Sequence, residues 1–170
     1  MSPLADTTVL RPVRSTDLPA FYEHQLDPTA RWMAAFGSAL DDREAFETRW
    51  RGMLDNEGSL IRTIEVEAQT AGYVAHFQQF DRPSISYWLG RSFWGRGIAK
   101  TAVAQFVAGI AARPLYARVA WDNQASLRVL AHCGFQRVGT DRDFAQARGE
   151  DLDEIILALT GPDPAAGSPS

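Results

Sequence analysis

One stretch of the sequence, Ser84–Thr101, constrains the fold more than any other part of the chain. It begins with a run typical of a β-strand and then crosses three glycines, Gly90, Gly95 and Gly97, within eight residues. From Ile98 onward the apolar residues recur at helical spacing. The first N–H groups of a helix have no partner within it, and the helix dipole makes that end positive. Because glycines let an anion approach the backbone, the stretch predicts a site for a phosphate-bearing ligand.

The composition predicts one domain without a membrane span. The 170 residues are 45% hydrophobic, enough for a substantial core, and we expect a single domain over residues 1–160. Residues 161–170 are poor in large apolar side chains and are expected to be a disordered tail. A net charge of −4 disfavours a nucleic-acid partner, and no apolar run approaches the roughly 18 residues of a membrane span. The single cysteine, Cys133, excludes a multi-cysteine metal site, so no metal is expected, and it fits a reducing, cytoplasmic compartment.

The predicted elements follow the order strand, two helices, three strands, helix, strand, helix and two strands. Near the start, Asp17 is placed to cap a helix that Pro28 ends, and residues 31–40 are ambiguous. Between the last two strands, Asp141–Asp153 is predicted to be a charged loop. This order is typical of a mixed α/β (α+β) domain, in which a ligand binds at the carboxyl ends of strands that lead into helices.

Two common phosphate-binding patterns do not fit the glycine turn. A nucleotide P-loop has Gly-x4-Gly-Lys-Ser/Thr, but Arg96 and Gly97 follow Gly95 here. A dinucleotide fingerprint has a third glycine where Lys100 stands, and an acidic residue about twenty positions further on, where this chain is apolar or basic. What remains is a compact anion-binding turn, Trp94–Ala99, that opens a helix.

Three motifs resemble the GNAT superfamily of N-acetyltransferases. Trp94–Ala99 is similar to the family's acetyl-CoA pyrophosphate loop, and Asn123–Phe135 resembles its later pattern of Asn, Ser and Gly-Phe. Leu10–Leu18 resembles its first strand and helix. The Trp-Gly-x-Gly-x-Ala and Asn-x-x-Ser variants are similar to the branch of ribosomal-protein N-terminal acetyltransferases. The resemblance implies a mostly antiparallel sheet of six to seven strands, a central splayed parallel pair and about four flanking helices.

The resemblance also implies that acetyl-CoA is the co-substrate. Backbone amides near Leu89 and Gly90, left free where the strand splays, would meet the pantetheine arm and the thioester carbonyl. Asn123 and Ser126 would contact the pantetheine arm, or would instead be a helix cap and a solvated serine. The residues implied to hold acetyl-CoA are Leu89, Gly90, Trp94, Gly95, Arg96, Gly97, Ile98, Ala99, Lys100, Asn123 and Ser126.

The implied reaction is direct acetyl transfer to a primary amine, either a protein N-terminus or a small molecule. Many family members carry a glutamate base and a tyrosine acid where this chain has Ser84 and Leu130. In their absence the candidates are His76 as a base, Tyr87 as a proton donor or relay, and Ser126 as a donor to the departing thiolate. For both His76 and Tyr87, a packed structural side chain is the favoured alternative. A second hypothesis is therefore an acyl-CoA-binding module with impaired catalysis.

The acceptor amine is expected to bind between the first two helices and the hairpin loops. Three acidic residues, Asp41, Asp42 and Asp143, would attract a cationic amine there. Each of the three is equally explained as a solvated surface residue. The resemblance is also compatible with a homodimer.

Overall fold

The structure, a computed structural model, describes residues 7–37 and 42–161. The described residues form seven strands: β1 (Thr8–Pro12), β2 (Leu60–Val66), β3 (Gln69–Gln79), β4 (Arg82–Leu89), β5 (Leu115–Ala120), β6 (Gln136–Ala145) and β7 (Glu150–Leu159). They also form five α-helices: α1 (Leu18–Leu26), α2 (Pro28–Ala34), α3 (Arg43–Asp55), α4 (Ile98–Ala108) and α5 (Gln124–His132). None of these helices is long and apolar enough to cross a membrane. All but Gly161 of the tail predicted over residues 161–170 lies outside the described residues.

The seven strands form one sheet in the order β1-β2-β3-β4-β5-β7-β6. Neighbouring strands are antiparallel except β4 and β5, which run parallel. This pair has a single registered contact in the described chain, Ser84 with Tyr116, so the strands diverge beyond it. The predicted sheet with a splayed central parallel pair is confirmed, with five helices instead of about four.

Two tight turns fix the register of β2, β3 and β4. Glu67 and Ala68 join β2 to β3, Phe80 and Asp81 join β3 to β4, and all four have φ between 50° and 65°. Positive φ at both central positions is typical of a two-residue hairpin turn that matches the twist of its strands. The result is unbroken pairing of residues 72–79 of β3 with residues 82–89 of β4.

The sheet has a buried core on each face. On one face, α4 and α5 cover a large cluster that includes Ile85 and Leu127. On the other face, α1 and α3 cover a smaller cluster around Phe21 and Trp50. Because successive side chains of a strand point to opposite faces, Trp88 of β4 lies on the second face. β4 therefore presents residues to both sides of the sheet at the point where it parts from β5.

Asp17 is 2% exposed and is the centre of a hydrogen-bond network. Its carboxylate accepts two bonds of 2.8 Å from the Arg11 guanidinium and one each from the hydroxyls of Thr63 and Thr70. The backbone N–H of Arg14 donates a further bond. Burial alone would raise the pKa of Asp17, but these donors outweigh it and hold the pKa well below its usual range. The network joins β1, β2 and β3. Asp17 occupies the predicted N-cap position of α1, but its carboxylate belongs to this network and makes no side-chain cap bond to the helix.

Helix α2 occupies part of the segment that the sequence left ambiguous. Pro28 stands at its first position, where the missing N–H costs nothing, and the Asp27 side chain accepts from the N–H of Thr29. The proline therefore ends one helix and begins the next.

The predicted loop Asp141–Asp153 is mostly strand. β6 extends to Ala145 and β7 begins at Glu150, which leaves a turn of four residues between them. Charged side chains pair across these strands, and the Arg142 guanidinium lies 2.8 Å from the Asp153 carboxylate. Such cross-strand ion pairs offset the low strand propensity of aspartate, which is why composition alone indicated a loop.

Candidate functional site

The divergence of β4 from β5 leaves backbone groups facing a gap in the middle of the sheet. The Gly90 N–H donates to the Ala71 carbonyl at 2.8 Å, on the β3 side. Since the bonding groups of a strand alternate between its two edges, the N–H of Leu89 points the other way, toward β5. β5 has no registered partner at that level in the described chain. The expectation of a free amide was therefore wrong for Gly90, and for Leu89, whose N–H is directed into the gap, it stays a prediction.

A cavity of about 1010 Å³ passes through this gap and reaches both faces of the sheet. We call the part on the α4 and α5 face the turn arm, lined by Tyr87, Trp94 and Ser126 among others. The part on the α1 to α3 face is the helix arm, lined by Trp50, Tyr73 and Trp88 among others. All the predicted site residues line the cavity except Gly90, Arg96 and His76.

The glycine turn borders the turn arm. Gly95 and Gly97 have φ of 74° and 76°, a left-handed backbone that other residues rarely adopt. Gly97 is the N-cap of α4, whose first turn contains no acidic residue. Arg96 and Lys100 lie exposed beside it. Unpaired helix N–H groups, the positive end of the helix and two cations together suit a diphosphate.

One hydrogen bond attaches the glycine turn to the end of β4, and His24 of α1 packs against Gly90, which follows that strand. The Trp94 indole Nε1 donates to the Leu89 carbonyl at 2.9 Å. This bond satisfies a carbonyl that faces the gap on the β5 side of the strand. At Gly90 a Cβ atom would lie 2.6 Å from Nε2 of His24, so the glycine makes room for the imidazole. Burial lowers the pKa of His24, and its Nδ1 is buried without a partner among the described residues.

Two of the predicted catalytic residues contact each other. The hydroxyl oxygens of Tyr87 and Ser126 are 2.7 Å apart, and either hydroxyl can donate. Tyr87 comes from β4 and Ser126 from the first turn of α5, and both line the turn arm. Burial raises the pKa of Tyr87 to about 12, and the hydrogen bond with Ser126 opposes that rise. Tyr87 is therefore protonated at neutral pH and fixes the position of the Ser126 hydroxyl.

Asn123 lines the cavity and also caps α5. Its Oδ1 accepts from the N–H of Ser126 at 3.3 Å, and its Nδ2 donates to the Met33 carbonyl at 3.3 Å. The structural alternative considered from the sequence, a helix cap, is therefore present. The side chain also connects α5 with α2, which lies 90 residues away in sequence.

His76 and Ser84 lie away from the cavity. Phe77 of β3 lines the helix arm, so the alternation of side chains puts His76 on the other face of the sheet. Burial lowers the pKa of His76, and its Nε2 is buried without a partner in the described chain. Ser84 is 3% exposed, and its hydroxyl donates to the Arg82 carbonyl at 3.2 Å. Neither His76 nor Ser84 is among the residues that line the cavity.

The helix arm contains residues that the sequence did not identify as a site. Trp50 and Met53 come from α3, and Tyr73 and Trp88 are cross-strand neighbours on β3 and β4. The rings of Trp50 and Tyr73 meet edge-on with centroids 4.7 Å apart. Their spacing along the chain indicates only a buried face, because an amphipathic helix over a sheet and a binding cavity give the same pattern. Only the gap between β4 and β5 makes this face part of a cavity.

A family model for the acetyltransferase (GNAT) domain matches residues 8–136, which is more than half of the chain. This chain belongs to the GNAT acetyltransferase family. The matched segment runs from β1 to the start of β6 and includes the glycine turn, both strands that flank the gap and all of α5. The resemblance inferred from three sequence motifs is confirmed.

Two curated relatives carry acetyltransferase names. The chain is 27% identical over 112 residues to the uncharacterized N-acetyltransferase p20 of Bacillus licheniformis, covering 64% of this chain and 63% of the relative. It is 31% identical over 97 residues to the uncharacterized N-acetyltransferase YoaA of Bacillus subtilis, covering 55% of each. The chain thus matches less than two thirds of the length of either relative.

Solved structures share the fold over nearly the whole chain. RimL, a ribosomal L7/L12 alpha-N-protein acetyltransferase in complex with coenzyme A, has a TM-score of 0.79 at 20% identity, covering 93% of this chain and 96% of RimL. Mycobacterium smegmatis RimJ in complex with CoA-disulfide has a TM-score of 0.75 at 23% identity, covering 96% and 84%. The microcin C7 self-immunity acetyltransferase MccE, in complex with acetyl-CoA and AMP, has a TM-score of 0.74 at 19% identity, covering 93% and 94%.

Proposed function

We propose that this protein transfers an acetyl group from acetyl-CoA to a primary amine, with both substrates bound at once. The observation that carries the proposal is the cavity through the gap between β4 and β5. It connects a turn suited to a diphosphate on one face with a separate arm on the other face. A thioester placed in the gap would then lie between the two arms, where an amine could reach it.

The residues of the turn arm fit acetyl-CoA, which would supply the activated acetyl group. The N–H groups of the first turn of α4, with Arg96 and Lys100, would hold the diphosphate. The Leu89 N–H, directed into the gap, would donate to the thioester carbonyl oxygen as negative charge develops on it. The structures of RimL and RimJ with forms of coenzyme A support the same use of the fold.

Ser126 and Tyr87 would assist the departure of the thiolate. The bond from the amine nitrogen to the acetyl carbon forms, the carbon–sulfur bond breaks, and the proton lost by nitrogen balances the proton gained by sulfur. Tyr87 would donate to the Ser126 oxygen, which directs the Ser126 O–H toward the sulfur. Because its pKa is about 12, Tyr87 would keep its own proton and act as a positioning residue.

In the described part of the chain, no carboxylate that could accept the proton of the amine lines the cavity. None of the described residues that line the cavity is Asp or Glu. We therefore propose that the amine gives its proton to water, so that the rate rises with pH as the free amine becomes available. The same observation favours the second candidate function, an acyl-CoA-binding module in which transfer is impaired.

One assay distinguishes the two functions. The protein is incubated with acetyl-CoA and a panel of peptides, amino acids, polyamines and aminoglycosides, while release of the coenzyme A thiol is followed. Turnover that depends on an amine supports the transferase. Tight binding of coenzyme A with no turnover on any amine supports the binding module. Thermal stabilisation by ATP or NAD but not by coenzyme A would reject both.

A further inference from the structure

The wall of the helix arm is largely aromatic and apolar. Trp50 and Met53 of α3, Tyr73 and Phe77 of β3, and Trp88 of β4 line it. Met53, Tyr73 and Phe77 pack against the core cluster on this face of the sheet, but they are only partly buried. Because the same three residues line the cavity, some of the surface that they leave open borders it. An apolar group of a ligand would cover that surface and remove it from water.

The rings of this wall hold one another in place. The centroids of Trp50 and Tyr73 are 4.7 Å apart, and the Phe21 ring lies 4.9 Å from the first and 5.4 Å from the second. Trp50 is 1% exposed, so the core encloses it from behind. A wall that is already ordered loses little freedom when a ligand binds, and more of the gain from burial remains for affinity.

Most polar groups of the helix arm are engaged within the protein. The Tyr73 hydroxyl shares a hydrogen bond with a glutamine of α1, and burial raises the pKa of Tyr73 to about 12, so it is uncharged at neutral pH. Arg118 lies 2.8 Å from a carboxylate of β7 and 2.6 Å from one of β6. Arg31 and Arg49 also line the arm, and both are engaged in interactions within the chain. The indole nitrogen of Trp88 is buried, so apolar contact is the main interaction that the arm offers to a ligand.

The acidic residues expected to attract a cationic amine do not line the described cavity. Asp42 caps α3 by accepting from the Ala45 N–H at 2.8 Å, and Asp143 accepts from the Phe144 N–H at 2.8 Å. Asp41 lies outside the described residues. Since none of the described residues that line the cavity is Asp or Glu, a second ammonium group on the acceptor would find no counter-charge among them.

We infer that the acceptor is a primary amine with one large apolar side chain beside the amino group, and that this side chain packs against Met53, Phe77 and Trp88. This inference rests on the proposed function and names the substrate class of the same site. Burial of a side chain such as that of Leu, Met or Phe corresponds to roughly ten- to a hundredfold in affinity. With the side chain held in the helix arm, the amine would lie toward the gap, into which the Leu89 N–H is directed. A free amine and the first residue of a peptide share this chemistry.

Amines that differ only in their side chain test the inference. Leucinamide, methioninamide and phenylalaninamide are compared with asparaginamide, whose side chain is close in size to that of leucine but polar, and with alaninamide. We expect kcat/KM to be about tenfold or more higher for at least one of the three large apolar amides. The same comparison with tripeptides shows whether the better acceptor is a free amine or a peptide N-terminus. Equal or higher values for asparaginamide and alaninamide, and for the corresponding tripeptides, would overturn the inference.

Variants then connect the preference to the wall of the helix arm. Met53→Gln keeps the length of the side chain and adds a polar amide, and we expect it to lower the ratio of leucinamide to asparaginamide by about threefold or more. Leu54→Gln is the matched control, because Leu54 is the next residue of α3, is 38% exposed and does not line the cavity. Met33→Gln makes the same change on α2, in case Met53→Gln does not fold. Unchanged ratios in the folded variants, with melting temperatures near that of the wild type, would contradict the assignment.

A binding measurement separates this inference from the proposed function. If no amine is acetylated, the proposed function fails, and calorimetry with the coenzyme A-saturated protein still compares leucinamide with asparaginamide. Tighter binding of leucinamide, reduced in Met53→Gln but not in Leu54→Gln, would support an apolar pocket in that case. Equal binding of the two amides would reject it.

Discussion

The two sides of strand β4 differ sharply in how completely they are paired. Toward β3, residues 82–89 pair without interruption, whereas toward β5 the described chain has one registered pair, at Ser84. The polar groups follow the same division. Asp17, which joins β1 to β3, accepts from several donors, while the Trp88 indole N–H beside the gap has no partner among the residues that the structure describes. The paired side accounts for stability, and the open side supplies the groups with which a ligand can interact.

The largest effect is expected from breaking the paired side at its centre. Asp17→Ala leaves the Arg11 guanidinium and two threonine hydroxyls without their acceptor, and we expect it to lower the free energy of unfolding by about 3–5 kcal/mol. Urea unfolding followed by circular dichroism measures the loss. The control is Asp153→Ala, which removes an exposed pair with Arg142 and should cost below about 1 kcal/mol. Equal losses of unfolding free energy in the two variants would show that the buried Asp17 network contributes no more than an exposed ion pair.

The lowered pKa of Asp17 predicts that the folded protein loses stability at acid pH. Because the pKa of Asp17 is lower in the folded chain than in the unfolded chain, its contribution is complete above the unfolded pKa of about 3.9. That contribution disappears as the pH falls below this value toward the folded pKa. We expect the wild type to lose stability between about pH 5 and pH 2 more steeply than Asp17→Asn. Parallel curves for the two proteins would contradict this explanation.

On the open side, the largest expected effect is on binding of coenzyme A. Gly97→Glu places a carboxylate at the N-terminus of α4 and a side chain on a left-handed backbone, and we expect coenzyme A to bind roughly a hundredfold more weakly or worse. Calorimetry measures the affinity. Gly149→Glu is a matched control, since Gly149 has φ of 67° in the β6–β7 turn with no atom close to its missing side chain. Unchanged binding in Gly97→Glu would mean that the diphosphate is held elsewhere.

A smaller change is expected in the turnover step. Ser126→Ala should lower kcat by about a hundredfold while coenzyme A affinity changes little, because in the proposed mechanism its hydroxyl donates to the departing sulfur. Tyr87→Phe should lower kcat less, and the double variant should be no slower than Ser126→Ala, because Tyr87 acts through Ser126. The pH profile of Tyr87→Phe should match that of the wild type from pH 6 to 9, since a group with a pKa of about 12 does not titrate there. Steady-state kinetics measures kcat for each variant and its pH profile. If the losses of kcat in the two single variants add up in the double variant, Tyr87 does not act through Ser126.

The smallest effect is expected at His76. The residue lies outside the cavity lining, so His76→Gln should change kcat/KM by less than about threefold. The pH at half-maximal rate should also stay the same, because no base is removed. A large loss together with a shifted pH profile would restore His76 as the general base.

The sequence predicted the parts of the molecule that depend on neighbouring residues. The strand, glycine turn and helix of Ser84–Thr101 were predicted correctly, because turn chemistry and helical spacing are local signals. The charged strands around Asp141–Asp153 were taken for a loop, because what holds them is pairing across the hairpin. The N-cap position of Asp17 was predicted correctly, but the network around its carboxylate was not, because Thr63 and Thr70 are far away along the chain.

The candidate site shows the same limit. Motifs identified Tyr87 and Ser126 separately, but their 2.7 Å contact joins residues 39 positions apart. The helix arm was not predicted, since Trp88 and Arg49 form a cavity wall only after β4 has separated from β5. Long-range packing decides these features, and no local pattern carries that information.

The wall of the helix arm formed by α2 is held by distant parts of the chain. The carbonyls of Trp32, Met33 and Ala35 accept hydrogen bonds from Arg148, Asn123 and Ala147 respectively. Two of these donors belong to the short turn between β6 and β7, which contributes nothing to the glycine turn. A change of sequence or length in that turn would reshape the helix arm, the proposed acceptor side, without touching the glycine turn. Variation at this one hairpin is therefore expected to alter the choice of acceptor while the proposed binding of acetyl-CoA is kept.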